Sequence, residues 1–233
     1  MMQFRRADER GHANHGWLDS HHSFSFASYY DPAHMGWSAL RVINDDTVEP
    51  AAGFPTHGHR EMEIVSYVLA GALEHRDSLG TGSVIVPGDV QLMSAGSGIT
   101  HSEFNHSDQD AVHFLQIWIH PDQANATPGY QQRHFAEAEK RGRLRLLVSA
   151  DGREQTLRIR QDLDLYAALL EGEESIDWTL AAGRKGYLHV ARGRLELNGV
   201  ALAAGDGVML HDEPVLTLNK GEAAEVLLFD LPG

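Results

Sequence analysis

The sequence predicts an all-β protein built from two antiparallel β-barrel domains, and two observations lead to this prediction. Short apolar segments alternate with turns rich in Gly, Pro and Asp, as where a Pro-Gly-Asp turn at residues 87–89 separates two apolar runs. Closely spaced strands and turns of this kind are typical of antiparallel barrels and jelly rolls. The pattern also occurs twice, because residues 187–196 are similar to residues 65–74. A repeated set of strands predicts the same fold in each half of the chain.

Each predicted strand of the first half is a short apolar or alternating run bounded by turn residues. These runs are residues 40–46, 64–69, 72–75, 83–86, 90–93 and 112–119. Residues 11–50 are rich in His and aromatic side chains, which favours a lead strand and a covering loop. A polar segment containing Pro and Gly at residues 121–132 predicts a linker, and residues 136–141 suit a single helical turn. We therefore predict two domains, residues 1–132 and 133–233.

The composition excludes several classes of function. The 233 residues carry a formal net charge of −14, which argues against direct contact with nucleic acid or an anionic membrane. The chain has no Cys, so any redox chemistry is left to a bound metal rather than to thiols. Residues 1–10 lack an apolar signal-peptide core, and no segment is long and apolar enough to span a bilayer. We expect a cytoplasmic monomer.

Two pairs of metal-ligating residue types lie on predicted strands, His57-x-His59 and His101-x-Glu103. Alternate side chains of a strand share a face, so antiparallel folding brings three imidazoles and one carboxylate into one space. This set suits a divalent first-row metal and leaves coordination positions open, as catalytic sites require. Glu63 lies an even number of residues from both histidines of the first pair, so strand parity alone permits it as the carboxylate.

Less specific interpretations exist for single histidines and for a neighbouring strand. A lone His-x-His occurs on many solvated strands, and a closed tetrahedral zinc site would be structural. The histidines that precede the first pair are interpreted as structural hydrogen-bonding groups at turns: His12, His15, His21 and His22. On residues 112–119, His113, Gln116 and Trp118 either line a cavity or pack in the core, and the sequence leaves both open.

The motifs resemble those of the cupin superfamily and, more specifically, those of the pirins. The cupin resemblance lies in Gly98-x-x-His101-x-x-x-Asn105, although the turn before His101 is longer than usual and lacks its proline. The pirin resemblance covers most of the first 135 residues and lies in residues 22–26, 29–32, 40–46, 71–78 and 101–105. It implies a bicupin, that is, two jelly-roll barrels in one chain.

The pirin resemblance also implies a ligand set and a cofactor. The ligands would be His57, His59, His101 and Glu103. They would hold one divalent metal, with Fe²⁺ favoured and Mn, Co, Ni, Cu or Zn also admitted by the spacing. Glu63 would then lie behind the ligands or on the strand surface.

The function that the resemblance implies is that of a quercetin 2,3-dioxygenase, with a small aromatic or flavonol substrate and O₂ as partners. In this reaction Glu103 is the catalytic residue that accepts the proton of the flavonol 3-hydroxyl. Oxygen then adds across the heterocycle, the ring opens and carbon monoxide leaves. The alternative is a non-enzymatic, iron-dependent regulatory protein whose negative charge favours a basic protein partner. An open, apolar path to the metal would favour the enzyme.

The second half repeats the fold pattern without the ligand residues. Thr179 and Ala181 stand where the first His pair would be, and residues 215–218 hold no counterpart of the second pair. His189 and His211 have no partner at ligand spacing and are interpreted as structural. We therefore expect a degenerate cupin domain without a metal site.

Overall fold

The computed structural model describes residues 1–213 and 215–233, and β-strands dominate them. Twelve strands precede the α-helix of these residues: β1 (Met2–Arg5), β2 (Gly11–Asn14), β3 (Leu18–His22), β4 (Leu40–Val48), β5 (Gly53–His59), β6 (Glu63–Ala70), β7 (Leu73–Asp77), β8 (Gly82–Ile85), β9 (Asp89–Ser94), β10 (Ile99–Asn105), β11 (Val112–Ile119) and β12 (Gly129–His134). The strands after the helix α1 (Glu137–Lys140) are β13 (Arg145–Ser149), β14 (Leu157–Arg158), β15 (Asp164–Gly172), β16 (Ile176–Thr179), β17 (Lys185–Leu197), β18 (Val200–Ala203), β19 (Gly207–His211) and β20 (Val215–Leu231). No helix among these residues has the length and hydropathy needed to cross a membrane.

The structure confirms the predicted strands of the first half and differs from the sequence analysis at the linker. β11 spans the predicted residues, and α1 is the predicted single turn. The end of the predicted linker, however, forms β12, which pairs with β9. The sequence Gly-Tyr-Gln-Gln-Arg-His lacks apolar alternation because β12 is the edge strand of its sheet and its side chains are only half-buried. A polar edge strand is therefore indistinguishable from a linker by hydropathy alone.

The described residues divide into two compact units. The N-terminal unit comprises Gly11–His134 and Ile159–Gln161, and the C-terminal unit comprises Met1–Arg10, Phe135–Arg158 and Asp162–Gly233. β1 pairs with β19, which is why the first residues of the chain belong to the C-terminal unit. The predicted domains, residues 1–132 and 133–233, stay a prediction.

The N-terminal unit is a jelly roll of two sheets. One has the strand order β12-β9-β6-β11-β4-β3-β2, and the other the order β5-β10-β7-β8. Their facing sides enclose an apolar cluster of buried side chains that includes Val48, Val68, Leu73, Ile85 and Phe114. Among the described residues the strand pairing does not run continuously around the unit, so the predicted barrel is an open pair of sheets.

The C-terminal unit contains a nine-stranded sheet with the main order β1-β19-β17-β20-β15-β13-β14. The long strands β17 and β20 pair with several register shifts, and such bulges bend strands and let a sheet curl around its interior. Aliphatic side chains fill that interior, among them Leu188, Val190, Leu210, Val226 and Leu228. The predicted antiparallel pairing is confirmed in the named strands of both units except for β13 with β14, which is parallel.

The close approach of β5 to β10 depends on Gly53. A Cβ atom added there would lie 2.4 Å from the carbonyl oxygen of Glu103 and 2.5 Å from Cα of Phe104. Both atoms belong to the backbone, so a larger residue forces the two strands apart.

We expect Gly53→Ala to lower the free energy of unfolding by about 1–3 kcal/mol, because this overpacking displaces backbone. Gly82→Ala is the matched control, since no atom lies within 4 Å of the added Cβ. Urea denaturation of both variants measures the difference. Equal stability of the two variants would contradict the close approach.

Candidate metal centre

The pairing of β5 with β10 assembles the predicted ligands. His57 lies directly opposite His101, and His59 lies opposite Ile99 at the end of the same ladder. A register shift follows between His101 and Glu103, so Glu103 pairs across the other edge of β10 with His75 of β7. Three neighbouring strands therefore supply the polar groups of this site.

Three imidazoles, those of His57, His59 and His101, form what we call the imidazole cluster. Their ligand nitrogens all lie within 4.8 Å of one another, and the Nε2 atoms of His57 and His101 are 3.1 Å apart. Burial, together with the neighbouring imidazoles, lowers the pKa of His101 to about 2 and that of His59 to about 4. Neutral imidazoles so close together are donors suited to a divalent first-row metal.

Glu103 adjoins this cluster at its buried side. Ligand atoms of Glu103, His101 and His75 lie within 4.8 Å of one another, so His101 joins the carboxyl to the other imidazoles. Ser66 Oγ donates to Glu103 Oε1 at 3.3 Å, and Gln116 Nε2 donates to Oε2 at 2.8 Å. Burial raises the pKa of Glu103 to about 7, although both hydrogen bonds oppose the increase. The donor set of three nitrogens and one carboxylate oxygen fits a divalent metal, and the four-residue ligand set stays a prediction.

His75 and Asp77 lie behind the predicted ligand His101, and the sequence analysis did not identify them. His75 Nδ1 lies 3.4 Å from His101 Nδ1, and His75 Nε2 lies 3.0 Å from a carboxylate oxygen of Asp77. Such partners behind a ligand fix its orientation and tautomer. The sequence feature that could have identified them is the alternation Leu73-x-His75-x-Asp77, because it places His75 on the same buried face as Leu73.

Glu63 lies away from the imidazole cluster. Ser66 on β6 faces Glu103, so Glu63, an odd number of residues earlier, is on the opposite face of that strand. Glu63 is buried there, accepts a hydrogen bond of 2.8 Å from Ser94 Oγ and lies 4.0 Å from the Arg160 guanidinium. Its burial raises its pKa.

A mostly apolar cavity adjoins the imidazole cluster. Its lining includes Phe26, Phe54 and Trp118 as well as His57, His59 and Glu103. Gln116 also lines the cavity, whereas His113 pairs outside it with Asp45 at 2.6 Å. His57 and His59 are partly exposed, while His101 is buried, so the cluster is reached from the side of the first pair.

The histidines near the amino terminus occupy two different settings. His12 forms a 2.6 Å hydrogen bond with Asp19 and stacks on His21 at the surface. His22 is buried, lines the cavity and lies 2.8 Å from the side-chain oxygen of Asn44. The adjacent pair thus faces opposite ways, as the sequence predicts.

A jelly roll that brings imidazoles and a carboxyl together beside an internal cavity defines a metal-binding cupin protein. Residues 3–119 match the family model Pirin, and residues 146–231 match the model described as Quercetinase C-terminal cupin domain. The chain belongs to the pirin family.

Relatives match over the full length of the chain. It is 48% identical over 233 residues to a protein of Escherichia coli named Quercetin 2,3-dioxygenase, covering 100% of this chain and 99% of the relative. It is 43% identical over 231 residues to the Pirin-like protein of Caulobacter vibrioides, covering 99% of each. The crystal structure of the bacterial pirin YhhW of Escherichia coli in complex with nickel(II) matches with a TM-score of 0.95 and 48% identity, covering 100% of this chain and 99% of that one.

We expect Glu103→Ala to lose the bound metal. The same loss is expected for His57→Ala, His59→Ala and His101→Ala, whereas Glu63→Ala should keep most of the metal. The reason is that Glu63 faces the other side of β6, so its loss costs at most the roughly 10- to 100-fold affinity typical of a residue behind the ligands. Equilibrium iron titration of the purified apo-proteins measures this order. Strong binding by Glu103→Ala together with none by Glu63→Ala would exclude the predicted carboxylate.

Metal affinity should rise with pH up to about 7 and then level off. A carboxyl with a pKa of about 7 must release its proton to bind a cation, so binding weakens roughly 10-fold for each pH unit below that value. His59 and His101 are already neutral in this pH range, so they do not contribute to the pH dependence of metal affinity. Titrations between pH 6 and 8 measure the effect, and Glu63→Ala, which is expected to keep most of the metal, is the control that should retain the same pH dependence. A wild-type profile without slope would refute the expectation.

Proposed function

We propose that this protein is a metal-dependent quercetin 2,3-dioxygenase that opens the heterocycle of a flavonol with O₂ and releases carbon monoxide. The observation that carries the proposal is the position of the imidazole cluster and Glu103 beside a mostly apolar cavity. The activity that names the relative of 48% identity agrees with this arrangement. A metal with an open apolar approach favours an enzyme over a closed regulatory site.

We propose His57, His59, His101 and Glu103 as the ligands and Fe²⁺ as the native metal. The nickel(II) complex of the similar bacterial pirin supports a divalent metal in this family. When bound, the metal supplies Lewis acidity that lowers the pKa of the flavonol hydroxyl, together with the capacity to engage O₂.

Glu103 is suited to hold the proton that the flavonol 3-hydroxyl loses. Its carboxylate lines the cavity and can accept that proton either as a ligand or after it loosens from the metal. Ser66 and Gln116 fix both oxygens of the carboxyl by hydrogen bonds and so hold it towards the cavity. The aromatic side chains of the lining offer apolar surface, which disfavours water beside the carboxyl.

Oxygen uptake and carbon monoxide release from quercetin test the proposal with the full chain. The Fe²⁺-loaded protein should release about one CO for each O₂ consumed, and the chelator-treated protein should do neither. Loading the same apo-protein with Mn, Co, Ni, Cu or Zn ranks the metals, and we expect Fe²⁺ to give the fastest turnover. If the protein binds metal tightly but consumes no O₂, the result favours the regulatory alternative.

A further inference from the structure

The polar interior of the N-terminal unit extends beyond the metal centre. On the neighbouring strands β3 and β4, Ser20 lies directly opposite Asp46. His22 lies directly opposite Asn44 in the same ladder. These four residues, which we call the polar quartet, are each no more than 4% exposed, and all of them line the cavity.

The members of the polar quartet are hydrogen-bonded to one another. Ser20 Oγ donates to Asp46 Oδ1, and it lies 3.4 Å from His22 Nδ1. His22 Nδ1 in turn lies 2.8 Å from Asn44 Oδ1. Since Ser20 contacts only one oxygen of Asp46, the second carboxyl oxygen is an additional group for a ligand.

The polar quartet is continuous with the metal centre across the sheet. Asn44 on β4 is paired with Gln116 on β11, and Gln116 is paired with Ser66 on β6. Gln116 and Ser66 are the two residues that donate hydrogen bonds to Glu103. One row of inward-facing polar side chains therefore connects the carboxyl of Glu103 with the polar quartet.

The fold does not require these polar groups. The next inward-facing pair on the same two strands, Leu18 opposite Val48, is apolar and buried in the core. Replacing a buried, hydrogen-bonded polar pair by apolar side chains of similar shape is often neutral or stabilising, so stability alone does not account for these groups. Local polarity of this kind, inside a cavity that already holds a reactive site, indicates a role in ligand binding.

The chemistry of the polar quartet matches phenolic hydroxyl groups. An amide, an imidazole and a hydroxyl each donate and accept hydrogen bonds, as a phenol does. Burial raises the pKa of Asp46 to about 7, so near neutral pH its carboxyl also exists in a form that donates. Phe26, Phe54 and Trp118 on the same cavity provide flat apolar surfaces for an aromatic ring.

We propose that the polar quartet is a hydroxyl-recognition subsite that selects polyhydroxylated aromatic substrates, binding ring hydroxyl groups other than the one at the metal. The inference rests on the proposed function, because it assigns the subsite to the same substrate cavity. A buried hydrogen bond of this kind, once lost, weakens binding by roughly 10- to 100-fold.

Anaerobic binding of three flavonols to the metal-loaded full chain tests the subsite. 3-Hydroxyflavone carries only the metal-directed hydroxyl, galangin adds two hydroxyls on one ring, and quercetin adds two more on the other. Fluorescence titration of the wild-type protein should show the affinity increasing along this series. In Asn44→Leu and Asp46→Leu, quercetin affinity should fall roughly 10- to 100-fold while 3-hydroxyflavone affinity changes less than about threefold.

Two further variants complete the experiment. Asp46→Asn retains a donor and an acceptor and should recover most of the preference for quercetin. Asp45→Leu makes the same change on the adjacent residue, which faces away from the cavity and pairs with His113. This control should leave the affinities for the three flavonols unchanged. If Asp46→Leu does not fold, Asn44→Leu and Ser20→Ala carry the same test, and retained 3-hydroxyflavone binding shows an intact cavity.

The outcomes separate this inference from the proposed function. Equal flavonol affinities in the wild type, or an unchanged quercetin preference in Asn44→Leu, would overturn the subsite even if quercetin is oxygenated. If the variants abolish the preference for quercetin over 3-hydroxyflavone, the subsite is supported even when no O₂ is consumed. In that case only the proposed function fails.

Discussion

The antiparallel ladder between β5 and β10 places His57 opposite His101, and the rest of the site is arranged around that contact. β5 is an edge strand of its sheet, whereas β10 lies between β5 and β7. The position explains why the two histidines of β5 are partly exposed while His101 is buried. A predicted ligand on the edge strand is reachable from the cavity, and one on the inner strand has neighbouring strands on both sides. The strand order thus creates one accessible and one rigid side of the metal centre.

The rigid side depends on contact between the two sheets of the N-terminal unit. Glu103 projects from the smaller sheet and is held by Ser66 and Gln116 of the larger one. Because these donors stabilise the ionised carboxyl while burial destabilises it, the pKa of Glu103 lies near 7 rather than further above its usual value. A carboxyl balanced in this way can exchange a proton with substrate and can also bind a cation. The packing of two sheets therefore determines the chemistry of one side chain.

The sequence predicted those parts of the site that depend on strand parity within a single strand. The pairs at 57 and 59 and at 101 and 103 are examples, since the spacing of side chains along a strand has a period of two. Parity did not decide Glu63, because a turn containing Glu61 at φ 50° separates β5 from β6 and interrupts the alternation. The contacts of Ser66 and Gln116 with Glu103 depend on register between strands distant in sequence, which no local pattern encodes. β12 was missed because a half-buried edge strand carries no apolar alternation.

The buried carboxyls of the C-terminal unit have different partners from those beside the cavity of the N-terminal unit. Aliphatic side chains form the apolar cluster of the C-terminal unit. Its buried carboxyls Asp206 and Glu225 pair with the cations Arg6 and Lys140. The buried carboxyls of this unit are thus compensated by cations, as buried charges in protein interiors usually are. The N-terminal unit instead buries Asp46 and Glu103 beside its cavity, although burial raises the pKa of both and so disfavours their charged forms. The hydrogen bonds that these two carboxyls accept come from the neutral side chains of Ser20, Ser66 and Gln116, and this setting beside a cavity suits them to bind a ligand or a cation.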